Sequence, residues 1–136
     1  MGNLNLGHGL VAMFLEMAAS DGHMDKSELQ QVGARATRHL RGPFGDDTPK
    51  IIEEGCNWFD SFNPKSKDDT DWHKKRITAI FTLGGQMVSA IPKEGRVQVI
   101  NDLAAIGGAD GKVEDIEKSF FFACMECLEI TKEDLG

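Results

Sequence analysis

The spacing of apolar residues along the chain predicts helices throughout. In the first segment Leu10, Phe14, Met17 and Ala18 recur at helical intervals, which places them on one face of a helix. Similar stripes recur between segments rich in glycine, proline and acids, and no segment has the alternation of a half-buried strand. We predict helices at about 7–20, 25–40, 48–62, 70–90, 92–108 and 114–128, with a short last turn at 131–134. The predicted fold is all-α.

The same spacing predicts which side chains face the core in the later helices. The third helix carries Ile52, Cys56 and Phe59 on one stripe, and the fifth carries Val97, Ile100, Leu103 and Ala104. The fourth contains Gly84-Gly85, which weakens a helix by about 1 kcal/mol per glycine against alanine. Close approach of another helix is the usual reason to tolerate such a pair, and we expect one there.

One short motif occurs near each end of the chain. Residues 20–28 read SDGHMDKSE and residues 109–117 read ADGKVEDIE, 89 positions apart. The apolar stripe before each copy keeps this separation, since Leu10, Phe14 and Met17 correspond to Val99, Leu103 and Ile106. We interpret the pattern as an internal duplication with repeat units at about 8–40 and 97–128, so the first two helices are expected to superpose on the last two.

Composition and charge narrow the class of protein. A chain of 136 residues can bury roughly two-thirds of its unfolded surface, so residues 1–136 are expected to form a single domain. The net charge of −7 argues against nucleic acid as a partner. No apolar run approaches the ~20 residues of a membrane span, and no basic region precedes the first apolar segment as in a signal peptide. Three cysteines fit a reducing compartment, so we expect a cytoplasmic protein without direct membrane insertion.

Part of the repeated motif has a purely structural explanation. Gly22 and Gly111 can adopt the left-handed conformation that ends a helix. Asp25 and Glu28 have the spacing of an N-cap and its reciprocal acid, and Glu114 and Glu117 repeat it. A motif that ends one helix and begins the next needs no ligand.

Capping does not explain the acid before each glycine. Asp21 and Asp110 would meet the negative end of a helix dipole. The motif also matches the second half of an EF-hand loop, in which glycine makes the bend and the last glutamate binds calcium. The first and third ligand positions of that loop, however, fall on apolar or small residues (Met17, Ala19, Ile106 and Gly108). An ordinary EF-hand is therefore not expected.

Acids of both copies form a candidate metal site. If the copies pack about a twofold axis, six carboxylates can converge: Asp21, Asp25, Glu28, Asp110, Glu114 and Glu117. Carboxylates so close together repel one another unless a cation neutralises them. Ligands that are all oxygen favour a hard divalent ion, namely calcium, magnesium or manganese. The acids have equivalent places in the two copies, so they suggest a cation more than a general acid and base.

The double motif resembles the tellurite-resistance TerB family. Asp21-Gly22-x-Met24-Asp25-x-x-Glu28 and its second copy carry the resemblance, with weaker matches at residues 58–62 and 127–131. The resemblance implies an all-helical fold of six to seven helices with pseudo-twofold symmetry. It also implies a metal site made by acids of both repeats and a role in bacterial resistance to tellurite and other stress.

The remaining candidate residues have structural explanations. Cys124 and Cys127 have redox or zinc spacing, but both lie on the inward stripe of the last helix, and no second pair completes a zinc site. We predict that they are core residues, and Cys56 likewise. Three arginines of the second helix are predicted to form a solvated face: Arg35, Arg38 and Arg41. No metal-ligand spacing occurs among the histidines: His8, His23, His39 and His73.

The sequence thus favours a non-enzymatic TerB-like module whose metal-bound acidic face docks other stress and tellurite-resistance proteins. These partners include a membrane-bound complex, reached through protein contacts. A metal-dependent hydrolase using the same carboxylates is one alternative, and it requires two metal ions about 4 Å apart with an open position for water. A helical interaction module without metal is the other.

Overall fold

Helices joined by turns and loops make up the part of the chain that the structure describes. A computed structural model describes residues 6–18, 26–39, 48–64, 66–107 and 115–135. Within these ranges, only the backbone is described for residues 26–29, 107, 115–118 and 135. The six α-helices are α1 (Leu6–Ala18), α2 (Lys26–Thr37), α3 (Thr48–Asp60), α4 (Trp72–Ala90), α5 (Lys93–Gly107) and α6 (Asp115–Cys127). A 3-10 helix follows at Glu133–Leu135. The all-α prediction is confirmed.

Helix α1 is buried on every side. It contacts α2, α3, α4, α5 and α6, and all of its residues are buried, including the polar His8 and Glu16. The predicted single inward stripe was therefore too narrow for this helix. A helix that is hydrophobic all round is a core helix, and only these two side chains interrupt the apolar sequence of α1.

Glycines allow other helices to approach α1 closely. A Cβ atom added to Gly55 of α3 would lie 2.8 Å from both Cβ and Cγ1 of Val11. A Cβ atom on Gly84 of α4 would lie 3.0 Å from Cys127 Sγ and 3.2 Å from Met13 Cε. The predicted close approach is thus confirmed at Gly84. It is wrong for Gly85, which is exposed and would meet no atom within 4 Å.

The inward faces differ from the predicted stripes at two places. In α3 the buried residues are Ile51, Gly55, Trp58 and Phe59, whereas Ile52 and Cys56 are only half-buried. The stripe was misplaced because the centre of this face is a glycine, which a search for apolar side chains passes over. In α5 the predicted core residue Ala104 is exposed, because its small side chain gives little reason to bury that edge of the helix.

The described helices keep the 89-residue register of the repeats. The described parts of α1 and α5 extend to Ala18 and Gly107, and those of α2 and α6 start at Lys26 and Asp115. The six apolar residues paired by the duplication are all buried: Leu10, Phe14, Met17, Val99, Leu103 and Ile106. Contacts of α1 with α6 and of α2 with α5 form the reciprocal pair that a twofold relation requires. The superposition of α1–α2 on α5–α6 stays a prediction.

The end of α6 has an unusual residue at its turn. The amide of Ile130 donates to the carbonyl of Met125 at 2.9 Å, and that of Glu129 donates to Glu126 at 3.1 Å, which is the Schellman pattern. Glu129 occupies the left-handed position with φ 56°, where glycine is the usual residue. Its exposed carboxylate also lies at the negative end of the helix dipole.

Glu129→Gly is therefore expected to stabilise the protein. Relief of the left-handed strain should raise the free energy of unfolding by about 1 kcal/mol, as measured by urea denaturation. Glu129→Ala is the matched control, because it removes the carboxylate and keeps a Cβ atom at the strained position. Equal stability of the glycine and alanine variants would show that the backbone conformation carries no cost.

Candidate functional site

The predicted metal ligands fall on the part of the chain that is least described. Asp21, Asp25, Asp110 and Glu114 lie outside the described residues. Glu28 and Glu117 are the third residues of α2 and α6, and only their backbones are described. The convergence of the six acids therefore stays a prediction.

The helices next to these acids have the expected arrangement. The described part of α2 starts at Lys26, directly after Asp25, and that of α6 starts at Asp115, directly after Glu114. The capping interpretation of these acids stays a prediction. The two acidic segments follow α1 and α5, which contact each other. Among the described residues, no group of three or more histidine, cysteine, aspartate or glutamate side chains could hold a metal ion.

A buried ion pair fixes α1 to α4 shortly before the first acidic segment. Glu16 is 3% exposed and Arg76 is 5% exposed. Arg76 Nε donates to Glu16 Oε1 at 2.8 Å, and Arg76 Nη2 donates to Oε2 at 3.0 Å. Such a two-point contact uses the planar fork of arginine fully and fixes both orientation and distance.

Aromatic rings enclose this ion pair. The guanidinium of Arg76 lies 4.0 Å from the ring centroid of Phe59 and 5.0 Å from that of Trp72. The more exposed His73 places Nε2 3.4 Å from Glu16 Oε1. The rings keep water from the pair and add cation–π attraction, so α1, α3 and α4 are joined at one point. One feature of the sequence indicates this cluster, namely the lone glutamate of an apolar helix.

A second buried carboxylate joins α2 to α5. Asp102 is 7% exposed, and it accepts a hydrogen bond from Arg35 Nη1 at 2.7 Å. His39 Nε2 lies 2.6 Å from its other oxygen, and Arg38 Nη1 lies 3.6 Å from Asp102 Oδ1. The His39 ring also meets Phe14 of α1 edge-on, with centroids 6.0 Å apart.

This Asp102 cluster corrects the predicted solvated face of α2. Arg35 is half-buried and pairs with Asp102, whereas Arg38 is exposed as predicted and Arg41 lies outside the described residues. Asp102 and His39 could not be recognised as partners from local sequence, because 63 positions separate them. In the other repeat, the positions that correspond to Asp102, His39 and Arg35 are apolar and buried. They are Met13, Leu128 and Cys124, in that order.

A third contact joins α1 to α3. His8 is 3% exposed, and its Nε2 lies 3.3 Å from Glu54 Oε1. The buried polar residues of α1 thus both have partners on neighbouring helices, as buried polar groups generally must. These contacts explain how an otherwise apolar central helix accommodates a histidine and a glutamate.

The cysteines have the environment of packed residues. All three cysteines are free thiols. Cys124 is buried, and Cys56 and Cys127 are half-buried. Burial raises the pKa of all three thiols, most strongly that of Cys124. Cys127 Sγ also donates to the carbonyl of Phe81 at 3.4 Å. The core prediction is confirmed for Cys124, and the other two lie at the edge of the core.

Thiol reagents are therefore expected to label the native protein slowly. A raised pKa leaves little of the reactive thiolate at pH 7–8, and packing hinders access to Cys124. Labelling should become fast in denaturant, as followed by mass spectrometry of peptides containing each cysteine. Rapid native labelling of both Cys124 and Cys127 would contradict this and restore a redox interpretation of their spacing.

Comparison with known proteins identifies the family of this chain. Within the described ranges, no helix combines the length and the apolar character needed to cross a membrane. Neither a curated protein nor a solved structure matches the chain. Residues 8–136 match the family described as tellurite resistance protein TerB. Since this match covers nearly the whole sequence, the protein belongs to the TerB family.

Proposed function

We propose that the protein is a non-enzymatic module that binds a hard divalent cation between its two Asp-Gly repeats. In this form it docks other proteins of a tellurite and stress response. The observation that carries the proposal is the duplicated acidic motif of a TerB-family chain, in a register that the described helices keep. Contact between α1 and α5 supports the approach of the two motifs.

The chemistry of the donor set favours one class of ion. The ligands are three acids from each repeat: Asp21, Asp25, Glu28, Asp110, Glu114 and Glu117. Carboxylates alone suit calcium, magnesium or manganese, whereas zinc and copper favour nitrogen or sulfur. A cation removes the mutual repulsion of these acids and neutralises Asp21 and Asp110 where helix dipoles oppose them.

A binding role is favoured over catalysis. The two copies supply acids at equivalent positions, whereas acid–base catalysis needs two carboxyl groups in different environments. The buried carboxylates of the described residues already have structural partners, since Glu16 binds Arg76 and Asp102 binds Arg35. They are therefore unsuited to serve as a general base.

The surroundings proposed for the module follow from its cysteines and its family. Three free cysteines suit the reducing cytoplasm. The proposed partners are other tellurite-resistance and stress proteins, including a membrane-bound complex that the module reaches through protein contacts. Nucleic acid is not a proposed partner, because the net charge is −7.

Divalent cations are expected to stabilise the folded protein. A ligand that binds only the folded state contributes about 2.7 kcal/mol at a hundredfold excess over its Kd. For a domain of this size the melting temperature should rise by roughly 5–10 °C. Calcium, magnesium and manganese are each compared with a chelator by calorimetry or thermal fluorescence.

Variants at the two repeats separate metal binding from capping. Asp21→Asn and Asp110→Asn should each abolish the increase, because neither acid has a predicted capping role. Asp68→Asn is the matched control, since Asp68 is an exposed acid between α3 and α4, and it should leave the increase intact. If no divalent ion moves the transition and Asp21→Asn stabilises the protein, the acids only mark helix ends and the module works without metal.

A further inference from the structure

Helix α6 carries three consecutive phenylalanines in different environments. Phe120 is buried and stacks on Phe81 of α4, with ring centroids 5.7 Å apart. Phe121 is half-buried. Phe122 is 49% exposed and is the only large hydrophobic side chain exposed among those the structure describes. Three successive positions of a helix span more than half of its circumference, so packing on α4 leaves Phe122 at the surface.

Charged side chains surround this ring. Glu126 and Glu129 follow Phe122 by about one and two helical turns, and both are exposed. Lys132 follows the end of α6, and its Nζ lies 5.8 Å from the Phe122 ring centroid. These four residues (Phe122, Glu126, Glu129 and Lys132) are all exposed at the C-terminal part of α6 and just beyond it, and they are termed here the Phe122 surface.

Two features of the Phe122 surface oppose stability instead of serving it. About half of the Phe122 side chain is exposed to water, so the fold lacks the stabilisation that full burial of the ring would give. Glu129 is a charged residue with φ 56° at the negative end of α6. The carboxylates of Glu126 and Glu129 thus outnumber the single ammonium of Lys132 on this surface, and Arg96 Nη1 donates to the Leu128 carbonyl at the end of α6.

We propose that the Phe122 surface docks a basic segment of a partner protein. An apolar side chain of that segment covers the Phe122 ring, while its lysine or arginine side chains bind Glu126 and Glu129. Charge complementarity selects this partner: a second copy would bring another chain of net charge −7 to the same carboxylates, and like charges oppose association. The inference rests on the proposed docking role, and it names the place and chemistry of one partner.

Nuclear magnetic resonance titration with a synthetic peptide tests this assignment. The probe is an amphipathic peptide of lysine and leucine with one tryptophan, added to the isotope-labelled full chain in chelator. Saturable shifts are expected within residues 119–135, and a matched peptide with glutamate in place of lysine should give none. Because the chelator removes divalent ions, the outcome is independent of the proposed metal site.

Two variants identify the contacts. Phe122→Ser should weaken peptide binding at least about tenfold, because the covered ring loses its apolar area. Glu126→Gln with Glu129→Gln should weaken it by a similar factor and reduce its dependence on salt. Glu94→Gln, an exposed acid in the first turn of α5, is the matched control and should change nothing.

Three outcomes would overturn the assignment. The first is a peptide titration whose shifts do not saturate or are centred away from α6. The second is binding by Phe122→Ser as tight as that of the native chain. The third is a dimer in sedimentation that Phe122→Ser dissociates, which would assign the surface to a second copy. Peptide binding in chelator together with failure of the cation experiment would reject the metal site and leave this assignment standing.

Discussion

Arg76→Met is expected to lower the free energy of unfolding by about 3–5 kcal/mol, because it leaves a buried carboxylate without its counter-ion. Glu16 is 3% exposed and receives both of its short hydrogen bonds from Arg76. His73 lies 3.4 Å away but is largely exposed and cannot replace the two-point contact. Urea denaturation followed by circular dichroism measures the loss.

Further variants separate the loss of a partner from the loss of packing. Glu16→Met combined with Arg76→Met should recover most of the stability, since apolar side chains of similar volume can replace a buried ion pair. Lys75→Met, at an exposed neighbour on α4, is the control and should cost less than about 0.5 kcal/mol. A double variant as unstable as Arg76→Met would mean that the enclosing rings, not the unpaired charge, determine the cost.

Asp102→Met is expected to destabilise the protein by about 3 kcal/mol, because it leaves the buried His39 and the half-buried Arg35 without their shared acceptor. Asp102 is 7% exposed and His39 is 7% exposed, so water cannot readily take its place. The cost should appear in the same urea experiment as a lower midpoint with an unchanged slope.

The other repeat suggests how to restore this stability. The counterparts of Asp102 and His39 are Met13 and Leu128, both fully buried. Asp102→Met combined with His39→Leu and Arg35→Met should therefore recover most of the loss. Arg35 Nε is a buried donor without a hydrogen-bond partner among the described atoms, which adds to the cost of keeping the cluster polar. A triple variant no more stable than Asp102→Met would contradict the equivalence of these positions.

The sequence predicted the helices well because their signals are local. Helix α3 is described from Thr48, its predicted start, and α4 ends at Ala90 as predicted. Threonine before proline favours a helix start, and Pro92 prevents the continuation of α4. The duplicated motif also predicted six of the buried residues of α1 and α5, since the same apolar spacing precedes both copies.

The contacts between helices could not be predicted in this way. Glu16 and Arg76 are 60 positions apart, and nothing in either local sequence identifies the other as its partner. The complete burial of α1 likewise depends on five other helices packing around it. The candidate metal site has the same limitation, because a motif identifies its acids while only the packing of the two repeats can bring them together.

Paramagnetic broadening by manganese tests most directly whether the two Asp-Gly repeats form one metal site. One equivalent of manganese, added to the isotope-labelled protein, should broaden the amide signals of both residues 20–28 and residues 109–117. Asp21→Asn should remove the broadening from both segments, because each ion is held by acids of both repeats. Broadening confined to one segment, or retained around Asp110 in the Asp21→Asn variant, would contradict a shared site.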